Sequence, residues 1–237
     1  MLGRAVLACG AVAAAVQAAP LATFVPAGKR FLPALNGRGR AGHVALTFDD
    51  GPDGQSTPQF LDQLAKLDVK ATFFLLGEMC LRYPDLAKRI VDEGHEVAVH
   101  SWDHRNHLRN LPGRRTADQL ARTADLIEVQ AGVRPEWFRP PYGALTTADL
   151  VVAKRLGLRT VLWTAWGQDW QRDLTPADVV DEVLRGQLDG GTVLLHDSDC
   201  TSEPGSWRAT LGALPRLVGT LREQGLDVGT VGAHGLP

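Results

Sequence analysis

The sequence predicts an α/β fold, a (β/α) barrel of about seven parallel strands whose reactive residues sit at the C-terminal face. Three observations carry this reading. Short apolar, β-rich runs alternate with longer amphipathic ones from His43 onward, and repeated β-then-α units imply parallel strands joined by crossover helices. The unusual polar residues fall after many different strands: Asp49 and Asp50 after one, His100 and His104 after another, Arg139 after a third, Asp169 beyond a fourth and His196 at the end of a fifth. Such a collection of strand ends favours a barrel rim over an open doubly wound sheet. The length of 237 residues, with 44% hydrophobic and 22% charged composition, suits one domain plus a leader.

The elements follow in chain order. Residues 44–48 are a buried strand, 57–67 a helix, 71–76 a strand, and 84–93 a helix closed by Gly94. Residues 96–99 form a strand, 116–130 a helix stopped by Gly132, 137–138 a short strand, and 147–156 a helix ended by Gly157. A strand at 158–163 leads to a helix over 175–188, with Thr175 as N-cap and Pro176 in the first turn, where its missing N–H costs nothing. Residues 192–195 are a strand, 207–224 a helix and 226–231 the final strand.

Outside this core, residues 1–26 read as a signal peptide or signal anchor, because the run from Ala5 to Ala19 is small and apolar and Arg4 precedes it. A basic linker spans 27–42, the α/β domain 43–231 and a tail 232–237. Secretion or anchoring to the cell envelope is the expectation. Lys29, Arg30, Arg38 and Arg40 oppose it, since a basic flank on an anchor favours the cytoplasmic side. The formal net charge of -2 gives no field for nucleic acid, so no such partner is expected. Three cysteines, Cys9, Cys80 and Cys200, form no Cys-x-x-Cys pair, which argues against a disulfide framework or a zinc finger.

In Thr47-Phe48-Asp49-Asp50-Gly51-Pro52, Gly51 and Pro52 bend the chain and leave two adjacent carboxylates at a strand end. A cation that neutralises one would free the other to act as a base; the same residues are also ordinary turn chemistry. His100 and His104 stand four apart, a spacing that puts two imidazoles on one side of a helical turn and suits one metal. Two His and one Asp leave coordination positions open, which signals catalysis, although the same set describes non-haem iron oxygenases.

Read together, TFDDGP at 47–52, HSWDH at 100–104, RPPYG at 139–143, DW at 169–170 and LLHD at 194–197 closely resemble the polysaccharide deacetylases of carbohydrate esterase family four, the NodB homology domain. The resemblance covers residues 43–231. It implies a distorted barrel and metal-dependent removal of N-acetyl groups from N-acetylglucosamine-containing polymer, peptidoglycan or chitin oligomers. It further implies that Asp50, His100 and His104 are the metal ligands, Asp49 the general base and Arg139 its partner. His196 with Asp169 is the implied general acid, and the Tyr142 backbone N–H the oxyanion donor, placed by Pro140 and Pro141. Pro141, Leu194 and Trp170 are the substrate-facing residues. Zinc is the default metal, with cobalt, nickel or manganese also suited to such a site. One position departs from the usual Asp-x-x-Asp-Trp: Trp166 takes the place of the first aspartate. Trp102, Trp166 and Trp170 then offer faces to sugar rings. The other readings are a hydrolase of a small amide or cyclic imide, and a non-catalytic glycan-binding module.

Overall fold

Period-two alternation along the strands decides what faces inward. The computed structural model describes residues 34–109 and 114–236. In β1 (His43–Asp49) every residue is buried, as expected where a parallel strand is covered on both sides. Val44, Leu46 and Phe48 face the helices in the main core, together with Phe73, Leu75, Val97 and Val99 of the next two strands. Ala45, Phe74 and Ala98 belong instead to a smaller cluster with Trp137, Val161 and Val231, which fills the barrel interior. Thr47 and Asp49 lie on that inward face of β1 by the same alternation.

The remaining strands are β2 (Thr72–Leu76), β3 (Glu96–Ser101), β4 (Trp137–Phe138), β5 (Arg159–Thr160), β6 (Ala165–Trp166), β7 (Thr192–His196) and β8 (Asp227–Gly229). All pairings are parallel, in the order β5-β4-β3-β2-β1-β7-β6, with β8 on the lower half of β1. The two edge strands of that path, β5 and β6, are neighbours in the chain. The sheet therefore curls until one interrupted run, 159–166, touches both edges, which makes a distorted barrel. Counted as one strand, that run gives the seven expected.

The strand expected over 158–163 is thus corrected: it is confined to Arg159–Thr160, and a second short strand, Ala165–Trp166, lies beyond the expected range. Between the two, a side chain takes the carbonyls that would continue the ladder: Arg139 donates from Nε to the Val161 carbonyl at 3.3 Å and from Nη2 to the Leu162 carbonyl at 3.0 Å.

The helices are α1 (Thr57–Leu67), α2 (Gly77–Arg82), α3 (Leu86–Asp92), α4 (Arg114–Ala131), α5 (Thr147–Arg155), α6 (Pro176–Leu184) and α7 (Trp207–Glu223). Thr175 caps α6 as expected, in a reciprocal box with Asp178. The short α2 was not expected, and α6 ends earlier than residue 188. The proposed leader lies outside the described residues. Among the described residues no helix is long and apolar enough to cross a membrane.

Candidate active site

The strand registers bring the motifs to one rim. Asp49 at the end of β1 is in register with His196 of β7 on one side and Phe74 of β2 on the other. His100 lies near the end of β3, and Arg139 follows β4.

Asp49 and Asp50 are both buried yet point to different partners. Asp49 Oδ1 accepts from Arg139 Nη1 at 2.7 Å. The guanidinium is wholly buried, bonds Thr47 Oγ1 at 2.8 Å, and lies over the Phe74 ring at 4.0 Å. Burial pulls its pKa down and Asp49 opposes that pull. Neither charge tolerates removal of the other, because an unpaired buried ion is far costlier than a paired one.

Asp50 turns away with φ 77°, and its Oδ1 lies 3.3 Å from both His100 Nε2 and His104 Nε2. His100 Nδ1 donates to the Arg139 carbonyl at 2.8 Å, so in the neutral ring Nε2 carries the lone pair. Burial pushes His104 down to about 4, against the attraction of Asp50, and that ring is neutral at neutral pH. Three lone-pair atoms thus converge within 4.8 Å, and Asp50 Oδ1 has no hydrogen-bond donor. Such a set repels itself unless a cation lies between, so the donors fit one divalent metal.

The His-x-x-x-His spacing holds these rings together, though not for the reason the sequence suggests. His100 is the penultimate residue of β3 and His104 sits in the following loop with φ 52°, not on a helix. The rings meet at 5.1 Å because the chain reverses between them. His107, three residues on, is not a surface histidine: it is buried, with Nε2 3.1 Å from Ser101 Oγ and Nδ1 3.2 Å from Asp149 Oδ1.

On the opposite side His196 Nδ1 meets Asp169 Oδ1 at 2.8 Å, while Asp169 Oδ2 accepts from the His196 backbone N–H at 2.9 Å and from Thr210 Oγ1 at 2.6 Å. Burial works against charge on His196, but Asp169, with Asp50 and Asp49 behind it, pushes the imidazole up to about 10. A cation bound at Asp50 would cancel part of that attraction.

A cleft of about 230 Å³ opens over these groups, with Tyr142, Trp163, Trp166, Trp170, Leu194 and Thr201 in its walls. Tyr142 has φ 60° and lies against His104 at 4.6 Å. Pro141 is buried inside the turn that carries Tyr142. Trp102 is away from the cleft: it packs under Arg122 at 3.8 Å, which corrects the expectation that it faces sugar. Thr201 and Trp163 were missed. Thr201 Oγ1 donates to Asp50 Oδ2 at 2.5 Å, and nothing in its local sequence signals this. Trp163 was detectable only as the aromatic end of a run entering the Trp166–Trp170 segment.

Comparison with known proteins identifies similar chains and folds. The family model described as polysaccharide deacetylase matches residues 36–161. The peptidoglycan-N-acetylglucosamine deacetylase PgdA of Listeria monocytogenes is 37% identical over 188 residues, which are 79% of this chain and 38% of that protein. The chain therefore spans well under half the length of that relative. A solved peptidoglycan N-acetylglucosamine deacetylase aligns with TM-score 0.77 and 32% identity, over 85% of this chain and 91% of the other. A CE4 family pseudoenzyme from Bacillus anthracis aligns with TM-score 0.73 and 32% identity, over 81% and 65% respectively.

Proposed function

This chain belongs to the polysaccharide deacetylase family, and from that premise we propose that it is a metal-dependent hydrolase removing N-acetyl groups from an N-acetylglucosamine-containing glycan, peptidoglycan or chitin oligomers. One observation carries the reading. A carboxylate paired with a buried arginine and an imidazole paired with a buried aspartate flank the three-donor cluster from adjacent strands, so a base and an acid are both present. That argues against a glycan-binding module without turnover.

Asp50, His100 and His104 would hold the cation, zinc by donor type, whose charge lowers the pKa of a water in the cleft toward ~7. Asp49 is placed to take that proton. Its Oδ1 is occupied by Arg139, while Oδ2, 3.8 Å from His100 Nε2, stays directed at the cluster. Arg139 holds Asp49 by a charge-assisted hydrogen bond to Oδ1. The oxygen of the acetyl carbonyl gains negative charge as the water oxygen adds to its carbon, and the Tyr142 backbone N–H is the assigned donor to it. Leu194 lines the pocket for the acetyl methyl. The C–N bond then breaks, acetate leaves, and His196 supplies the proton that the sugar nitrogen needs to depart as an amine. Asp169 holds the ring by Nδ1, which leaves Nε2 as the donor.

The polymeric substrate is favoured over a small amide because the cleft is open at its rim: Tyr142 is 60% and Trp166 37% exposed. The leader at 1–26 supports placement of the domain with secreted or envelope-anchored enzymes, where such glycans lie. Acetate release measured in parallel on peptidoglycan and on N-acetylglucosamine oligomers tests the reading and selects the polymer. No release from either by zinc-loaded protein would overturn it.

A further inference from the structure

Three indoles share one side of the cleft, and the proposed chemistry uses only the edge nearest His196. Trp170 meets the His196 ring edge-on at 5.9 Å, Trp166 meets Trp170 at 5.2 Å, and Trp163 stacks on Trp166 at 6.0 Å with the rings 26° apart. Trp166 is the exposed member of the group. Single exposed apolar side chains are commonplace on protein surfaces, but a contiguous aromatic wall inside a cleft marks a binding surface.

The backbone fixes where this wall stands. Trp166 is in register with Leu194 on β7, and in-register residues of parallel neighbours project to the same side. Both line the cleft, so Trp166 stands beside the acetyl pocket. It is also held firmly. The next residue, Gly167, packs so closely that a Cβ there would lie 2.5 Å from Leu195 Cδ2, and Gly167 N–H bonds the Leu194 carbonyl at 3.1 Å.

The charged and imidazole groups lining the cleft, Asp49, Asp50, His100, His104 and His196, cluster around the reacting centre. Trp166 brings no hydroxyl acceptor to its wall. What it offers is a flat face flanked by further rings, which matches the C–H face of a pyranose and makes little demand on the hydroxyls.

We infer that Trp166, backed by Trp163 and Trp170, is a specificity-determining platform that receives the apolar face of a sugar ring beside the acetamido group under attack. This rests on the proposed deacetylase reading and adds to it a preference: ring stacking on Trp166 next to the reacting sugar contributes to the selection of substrate.

The test uses zinc-loaded full-length protein, an N-acetylglucosamine tetramer as probe, and Trp166→Phe, Trp166→Ala and Trp166→Asp. The platform predicts that KM rises about tenfold in Trp166→Ala and Trp166→Asp with kcat changed less than twofold, while Trp166→Phe keeps most of the affinity. Titration of Asp49→Asn protein with the tetramer, followed by tryptophan fluorescence, reads binding without turnover; the signal and the affinity should both fall when Trp166→Ala is added. Unchanged KM and unchanged fluorescence titration in Trp166→Ala would overturn the platform while leaving the deacetylase reading intact. Binding by the parent protein that depends on Trp166, without any acetate release, would keep the platform and remove the deacetylase reading. No binding and no release would remove both.

Discussion

Asp49 and Asp50 are neighbours in sequence and separate in chemistry, and the separation is made by one backbone angle. Asp49 continues the strand and meets Arg139; Asp50, at φ 77°, swings to the imidazoles. Asp49→Asn is therefore expected to bind zinc like the parent protein and to lose at least ~10³-fold in kcat, a loss in the range of general acid–base contributions, checked by metal analysis beside acetate release. His100→Ala should lose the metal as well as the activity. Asp169→Asn gives the pH test. Asp169 is the leading attraction that raises His196, to about 10 without a cation at Asp50, so the acid form is favoured at neutrality and is lost as pH rises. Removing the aspartate charge should move the alkaline limb of the kcat/KM profile to lower pH and reduce the rate at pH 8. An unmoved limb would mean that His196 is not the titrating acid. The donor residues were legible because their chemistry is local to short motifs. Thr201 was not, since its bond to Asp50 is made across 151 positions by a loop of ordinary composition.

At the scale of elements, the catalytic rim depends on turns that only close packing explains. A Cβ on Gly51 would stand 2.5 Å from Asp197 Oδ2, and Asp197 is fixed by Thr57 Oγ1 at 2.5 Å, with its own carbonyl taken by Ser56 Oγ at 2.5 Å. Gly51→Ala should displace the turn carrying Asp50 and weaken zinc binding about tenfold or more, measured by competition with a chelating dye, while far-ultraviolet circular dichroism stays the same. The loop after β3 is anchored in a comparable way. His107 ties it to Ser101 on β3 and to Asp149 on α5, so His107→Ala should loosen His104 and lower zinc affinity without touching a ligand. The strand and helix order was legible from periodicity because β1, β2 and β3 are covered on both faces and read as apolar runs. Two features were not. The break in 159–166 follows from the Arg139 guanidinium taking strand carbonyls, a contact between distant parts of the chain. The short α2 begins at Gly77 directly after β2, with no connecting segment to announce it.

For the molecule as a whole, closure of the barrel and its acid sensitivity share a cause, which is burial of polar groups at strand ends. His43 at the start of β1 meets His234 through their Nδ1 atoms at 2.8 Å, and His234 also accepts from the Gly39 N–H at 3.2 Å. This pins both ends of the domain together below the sheet. Burial pushes His43 and His95 down to about 4, and His234 down as well. Because these folded-state values lie below the ordinary 6.5, the neutral rings stabilise the fold above that pH, and the contribution is lost as pH falls toward 4. Thermal unfolding of zinc-free protein should therefore show a midpoint that drops between pH 6.5 and 4.5, with a shallower slope in His95→Gln. The barrel class was legible because reactive residues follow many strands; the curl that closes it was not, because it depends on pairings at both ends of one interrupted run.

If one cation site and one carboxylate base act together on an acetylated glycan, turnover must depend on both. The most direct measurement is acetate release from N-acetylglucosamine oligomers by chelated protein, before and after zinc is restored, beside Asp49→Asn treated identically. The account predicts no release from chelated protein, recovery with zinc in the parent chain, and none in Asp49→Asn although its zinc content matches. Release by zinc-loaded Asp49→Asn at the parent rate, or by protein shown to be free of metal, would contradict it.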